Sequence, residues 1–420
     1  MRLSAEEKAI YDGKHGETYS KIMRSIVRYG EAFSAKRLVP VNKPVHLVTS
    51  FGVSMLKPIY EMMDELIDSN IKTKLPFTVD PRPLDNKNIK CTIPERLVFK
   101  IMYGKQKHYE DQLKSVGLKN DNAFTCTCYL NEVGNTPEKG DILAWAESSA
   151  VVYANSVIGA RTNRNSGVID LFCGILGKAP EFGLLTDEGR KAKWLIELNT
   201  SKLPPAQVLG SAIGMKVVED VPYIKGLDKY LKDLSVDERN DYLKDFGAAC
   251  ASNGAVGLYH VENITPEALE KAENLLVENY KTVIIEDLDI KQTKESYPVL
   301  WKDTNAKPKL CFIGCPHLSL QQIYSWTTKI SESLKNKGNK KVLVKTVLTA
   351  APDVIEKFKK NSVEYERLLK TGAKLSPVCA LMNLNNPLFE KKAVITNSNK
   401  LRTYTTARYY DDDVILDIIT

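Results

Sequence analysis

The stretch LCFIGCPHLSLQQ, residues 310–322, reads as a strand, a short loop and a helix. Leu310 to Gly314 is apolar enough for a buried strand. Cys315-Pro316-His317 follows as a loop, and Ser319 with Gln322 forms a capping box that starts the helix. A thiol and an imidazole therefore stand at the carboxyl end of a strand, where open α/β sheets gather their ligands. The helix N-terminus just beyond favours a thiolate. His317 is a candidate proton carrier, although a lone histidine also serves as a backbone hydrogen-bond partner.

Working outward, KVLVKTVLT (341–349) reads as a strand, and Asp353 to Thr371 as one helix stopped at Gly372. AVIT (393–396) and VILDI (414–418) read as late strands. Upstream, the charged, poorly periodic segment 286–309 is the best candidate linker, dividing 1–285 from 310–420. Before it, Lys193–Leu198, Tyr223–Lys225 and AVGLYHV (255–261) read as strands. PPAQVLGSAIG (204–214) and Leu227–Asn253, interrupted near Ser235, read as helices. Nearer the start, Tyr19, Ile22, Met23, Ile26 and Val27 line one helical face. Val45 to Thr49 is a short strand, Pro58 opens a helix, and Leu75–Asp85 is a strand running into a Pro-rich turn. A long helix is expected from Pro94 to about Val116. Strand and helix alternate through much of the chain, which predicts an α/β fold with largely parallel sheets.

The chain has 420 residues, 43% of them hydrophobic, so it can build two or three real cores. No apolar run reaches the roughly 20 residues that a membrane span needs. The start, MRLSAEEKAIYDG, lacks a signal-peptide core and reads as a helix boxed by Ser4 and Glu7, which predicts a cytoplasmic protein. The net charge of +7 is spread among 52 acids. No basic tract is interleaved with aromatics, which argues against a single-strand nucleic-acid groove, while a mildly positive chain suits an anionic substrate. The eight cysteines do not read as a disulfide framework in a chain of this kind. Cys173, Cys250 and Cys311 sit in apolar or small-residue runs and read as core.

The densest chemistry lies in TCTCYLNEVGNTPEKGDILAWAESSAVVYANSVIGARTNR, residues 125–164. Cys126 and Cys128 offer soft ligands for iron or zinc. Glu147 offers a proton carrier, next to Ser148. Asn155 and Ser156 are orienting donors, and Arg161 and Arg164 present planar forks that match a carboxylate or phosphate. A third cluster, Ser376-Pro377-Val378-Cys379, is followed by Thr396-Asn397-Ser398-Asn399-Lys400, a row of donors and a cation. Loop cysteines far apart in sequence resemble a three-thiolate centre rather than a zinc finger. Rossmann, P-loop, nucleophile-elbow and H-E-x-x-H fingerprints are absent.

Taken together, the blocks at 125–129, 145–164, 246–268, 314–322, 372–379 and 396–400 resemble, in order, the large subunit of aconitase X, a branch of the aconitase superfamily. The resemblance implies an aconitase-like multi-domain α/β architecture lacking the swivelling small domain. It implies a hydro-lyase whose cofactor is an iron-sulfur cluster (4Fe-4S or 2Fe-2S) or a mononuclear iron, held by Cys126, Cys315 and Cys379. It also implies a separate small subunit that completes the site. Glu147, Ser148 and His317 are then the expected catalytic residues. Asn155, Ser156, Arg161, Arg164, Ser398 and Lys400 are the expected substrate contacts. The substrate classes of the family are cis-3-hydroxy-L-proline, the leading expectation, and mevalonate 5-phosphate. Two positions depart from the family pattern: Cys128 stands where many members have proline, and Pro377-Val378 where many have Asp-Thr. Outside this reading stand an iron-sulfur sensor or nucleic-acid binder of the same fold, and a structural zinc protein.

Overall fold

The computed structural model describes residues 1–48, 56–89, 91–388 and 392–420. Two parallel sheets dominate. The first runs in the order His260–Val261, Pro222–Lys225, Ala192–Asn199, Leu276–Glu286, with every ladder parallel. The second runs Lys374–Ser376, Lys345–Ala350, Leu310–Leu318, Val394–Thr396, Arg408–Tyr409, also parallel throughout. Its central strand, Leu310–Leu318, is buried along nearly its whole length, as an internal strand of a covered parallel sheet must be. From that strand the chain first steps through Lys345–Ala350 to Lys374–Ser376. It then returns to the opposite side with Val394–Thr396. This reversal makes a topological switch point between Leu310–Leu318 and Val394–Thr396.

The N-terminal part is built more sparingly. His46–Leu47 pairs in parallel with Thr78–Val79, and isolated parallel bridges add Phe124 beside Val79, Trp145 beside His46 and Arg164 beside Trp145. Extended segments therefore lie side by side, and their carboxyl ends release Asp80, Cys126 and Glu147 in one direction. Each part has its own apolar cluster: one around Ile26, Phe77 and Leu113, one around Ile196, Ile213 and Phe246, and one around Ile313, Leu348 and Phe358.

Several local expectations hold. Ser4–Glu7 and Ser319–Gln322 are capping boxes, and Ser235 with Glu238 boxes the helix Val236–Asn253. Others change. The helix expected over 94–116 is two, Ile93–Tyr103 and Gln106–Val116, with Gly104 between them. Asp353–Thr371 likewise divides, because Asn361 ends Pro352–Lys360 and its side chain caps Ser362–Thr371. VILDI is a helix, Asp412–Ile419, not a strand: Ile415 and Ile419, four residues apart, are its buried positions, which is helical spacing. AVGLYHV contributes only His260–Val261 to the sheet. Within 286–309, Asp287–Glu295 is a helix packed on Ala206–Val217. Of the strand expected over Val45–Thr49, His46–Leu47 is present, and Thr49 lies outside the described residues.

Candidate active site

Three cysteine-bearing segments meet where the carboxyl ends of the C-terminal sheet face those of the N-terminal segments. Cys315 lies in the central strand Leu310–Leu318, close to its carboxyl end. Cys379 follows the strand Lys374–Ser376 and caps the helix Ala380–Leu384, its Sγ accepting the Met382 amide at 3.4 Å. Cys126 comes from the N-terminal part, and its Sγ accepts the His317 amide at 3.3 Å. The three thiols are half-buried. Burial pushes the Cys126 thiol well above its usual range, the charges of Glu147 and Cys315 add to this, and Lys400 opposes it. Burial raises Cys379 as well, and here Cys315 is the next cause.

His317 locks these segments together. Its Nε2 lies 3.2 Å from the Val378 carbonyl, which can only accept, so Nε2 carries the proton. Nδ1 then accepts from the Thr125 hydroxyl at 3.1 Å. Burial lowers its pKa to about 4, so the ring stays neutral near pH 7. Bonded on both sides, it clamps the segments of Cys126 and Cys379 to its own. The Pro-rich turn supplies the outer wall: Cys379 N donates to the Arg82 carbonyl at 2.8 Å, Asn383 to the Pro83 carbonyl at 3.2 Å, and Ser376 to Asp85 at 2.7 Å.

Glu147 caps the helix Ser148–Tyr153, accepting the Ser149 amide at 3.1 Å and the Ser149 hydroxyl at 2.8 Å. Lys400, from the helix that follows the strand Val394–Thr396, donates to the same oxygen and lies 3.4 Å from Ser148 Oγ. Burial alone would raise the Glu147 carboxyl, but Lys400 and the Ser149 donors hold it well below the usual range. Burial would lower the Lys400 ammonium, yet Glu147, Cys315 and Cys126 keep it raised. Both groups are therefore charged, and Lys400 is the cation that serves the thiols. Ser398 caps the helix Asn399–Tyr404, accepting the Leu401 amide at 3.1 Å and donating to the Cys315 carbonyl. Cys126, Cys315, Cys379, His317, Glu147, Ser148, Ser398 and Lys400 thus form one constellation.

The remaining expected contacts lie elsewhere. Asn155 sits in a π-helical turn, Ala154–Ile158, and spends its whole amide on structure. Nδ2 donates to the Thr162 and Gly257 carbonyls, both at 2.9 Å, and Oδ1 accepts from Thr162 N and Arg190, both at 3.0 Å. Ser156 Oγ accepts the Tyr259 amide at 2.9 Å. Arg161 pairs with Asp187 at 2.5 Å and donates to the Leu185 carbonyl at 3.1 Å. These three brace the N-terminal part against the sheet beside it. Arg164 is exposed. Cys128 is fully buried among Leu143, Trp145 and Val151, beside His46.

Two groups of this region escaped the sequence reading: His46, fully buried, and Asp80, buried beside it with their side chains 3.6 Å apart. Asp80 heads the Pro-rich turn, whose composition was its one signal.

Among the described residues, no three Cys, His, Asp or Glu side chains stand in ready-made metal-ligand geometry. The donor set nevertheless fits iron: three soft, half-buried thiols, two of them already accepting backbone amides, as sulfurs around a cluster do. A cleft of about 520 Å³ reaches Cys315 and Gly314. Its walls include Asp241, Asp245, Asp411 and Asp412, paired in part with Lys244 (Asp245), Lys294 (Asp411) and Lys329 (Asp412). Among the described residues, no helix is long and apolar enough to cross a membrane.

Comparison with known proteins agrees with this architecture. Residues 1–188 match the aconitase X first-domain model and residues 192–295 the aconitase X second-domain model. The phosphomevalonate dehydratase large subunit of Methanocaldococcus jannaschii is 33% identical over 80% of this chain and 79% of its own. The cis-3-hydroxy-L-proline dehydratase of Pseudomonas aeruginosa is 30% identical over 64% of this chain and 44% of its own. The crystal structure of aconitase X from Thermococcus kodakaraensis, in its holo form, superposes over the whole of both chains with a TM-score of 0.81 at 28% identity. By sequence and by fold, this chain belongs to the aconitase X family.

Proposed function

We propose that this chain is the large subunit of a dehydratase that removes water from a β-hydroxy acid. The observation that carries the reading is the meeting of three thiols from three segments with the buried Glu147–Lys400 pair at the topological switch point. Losing hydroxide from carbon requires a poor leaving group to be activated, and the carbanionic charge that develops on an acid must be stabilised. Cys126, Cys315 and Cys379 would hold an iron-sulfur cluster or a single iron, which when bound acts as a Lewis acid worth several kcal/mol. Lys400 keeps its charge at neutral pH and is placed to attract a substrate carboxylate. Glu147 holds that ammonium in position, and being firmly ionised it acts as an anchor rather than as a proton donor. Ser148 stands beside Lys400 as a short-range polar group, Ser398 fixes the Cys315 segment by donating to its carbonyl, and His317 keeps the three cysteine segments in register.

A separate small subunit completes the site, as the large-subunit names of the relatives imply. Of the two substrate classes, the geometry favours cis-3-hydroxy-L-proline. Lys400 is accompanied by buried Lys244, but Lys244 is already held by the His317 carbonyl and Asp245, and the cleft reaching Cys315 is walled by acids, which suits a zwitterion with a ring ammonium better than a carboxylate-phosphate dianion. A second reading, mevalonate 5-phosphate, draws support from relatives that match this chain over most of their own length. Dehydration assays on both compounds, with the chain co-purified anaerobically with its small subunit, decide between them. Turnover of the hydroxyproline supports the first reading, turnover of the phosphate alone the second, and turnover of neither rejects both.

A further inference from the structure

His46 and Asp80 form a second ionisable pair beside the Glu147–Lys400 pair. They come from adjacent parallel strands: His46 pairs in register with Thr78, and Asp80 directly follows Val79, the partner of Leu47. His46 is fully buried, while Asp80 keeps 9% of its side chain open. Asn135 Nδ2 donates to Thr78 Oγ1 at 2.9 Å, and Thr78 Oγ1 lies 2.9 Å from His46 Nδ1. An amide nitrogen only donates, so the Thr78 proton is free for Nδ1, and the ring proton of neutral His46 sits on Nε2. Protonated His46 carries a proton there as well. In either state an N–H faces Asp80 Oδ1, 3.6 Å away. Beyond this long contact and the Cys128 thiol that also faces His46, neither Nε2 nor Oδ1 has a hydrogen-bond partner among the described residues, and buried polar atoms left so call for an explanation such as a ligand or a reaction.

We infer that Asp80 is the proton donor to the hydroxyl that leaves the substrate, with His46 as the positioning residue behind it. The groups whose charge Asp80 feels or affects are Glu147, Lys400, His46, Tyr109 and Cys379. It therefore stands between the histidine and the constellation around the thiols. Burial and then Glu147 push its carboxyl up to about 6, against the pull of His46 and Lys400, a range suited to proton transfer near neutral pH. In the step, the Cβ–O bond breaks with its electron pair moving to oxygen. The Asp80 proton joins that oxygen, and water leaves. A base takes the Cα proton, and the C–H pair becomes the new double bond. Solvent returns a proton to Asp80 at its open edge.

The inference rests on the dehydratase reading, and its test separates the two. In the co-purified complex, Asp80→Asn, nearly isosteric, is expected to lower kcat about 100-fold or more, with KM within threefold and iron content unchanged. It is also expected to lose the alkaline limb of the kcat/KM profile. Asp80→Glu retains that limb. His46→Gln moves it to higher pH, because Asp80 loses the partner that favours its ionised form. Asp80→Asn that keeps kcat within twofold and the same alkaline limb overturns the inference. If the wild-type complex turns over neither substrate, the dehydratase reading fails, and pH-difference infrared spectra decide the inference. Loss of a carboxylic-acid carbonyl band in Asp80→Asn supports a proton carried there, and an unchanged spectrum overturns it.

Discussion

Lys400 donates to Glu147 across 253 residues of sequence, and this contact ties the helix Asn399–Tyr404 of the C-terminal part to the N-cap of the helix Ser148–Tyr153. Side-chain exposure is 11% for the lysine and 8% for the glutamate, so the pair is desolvated and each charge depends on the other. A buried ion pair contributes little to net stability, but breaking it leaves one charge without a partner.

Glu147→Gln or Lys400→Met is therefore expected to destabilise the chain by about 3–5 kcal/mol. The double variant should be less destabilised than the sum of the singles, because no lone charge remains. Urea unfolding of the three variants measures this coupling, and strict additivity would refute it.

Arg161 braces Asp187 and the Leu185 carbonyl rather than the thiol site. Arg161→Lys should leave KM within about twofold and cost roughly 1 kcal/mol or less, as expected for a partly exposed ion pair. Steady-state kinetics check the first part and thermal unfolding the second. A tenfold rise in KM would place this side chain on the substrate instead.

Asp170 gives a pH dependence of known sign. It is fully buried in the helix Gly167–Leu176, with Oδ2 unpaired among the described residues, and Asn165 donates to Oδ1 at 2.8 Å. Burial pushes its carboxyl from 3.8 up to about 8. The folded chain thus keeps a proton that the unfolded chain loses near pH 4. Its stabilising contribution is fully present below that pH and is lost as pH rises through about 8, by up to about 1.4 kcal/mol per pH unit. Asp170→Asn should flatten this slope and be the more stable protein at pH 8. Urea unfolding at pH 5 and pH 8 checks it: an unchanged slope contradicts the assignment.

Much of the site was legible because its residues sit at element ends with local signatures. Ser319 and Gln322 fixed the helix behind His317, and the strand before Cys315 followed from its apolar run. Lys400 stood out after a short strand. The rest depends on tertiary contacts that no local pattern encodes. Arg161 and Asn155 have the chemistry of substrate contacts, yet Asp187, Arg190 and Gly257, distant in sequence, claim them. VILDI has the β-branched composition of a strand, and only its four-residue burial spacing reveals the helix. His46 and Asp80 looked like ordinary strand residues until parallel pairing of His46 with Thr78 brought their side chains within 3.6 Å.

Cys128 also separates from its neighbours once its surroundings are known, since its thiol is enclosed by Leu143, Trp145 and Val151. Single serine replacements of Cys126, Cys315 and Cys379 should each abolish or greatly reduce bound iron, whereas Cys128→Ser should retain it. Iron per chain after anaerobic purification checks the set. Iron lost on Cys128→Ser alone would make that residue the ligand.

The most direct measurement is dehydration turnover by the anaerobically co-purified complex, compared with its Cys379→Ser variant. Iron-loaded wild type is expected to form water and an unsaturated acid from one of the two β-hydroxy acids, and the variant to lose both iron and turnover. A folded, iron-loaded wild-type complex that turns over neither acid, or a variant that keeps full turnover without iron, would contradict this expectation.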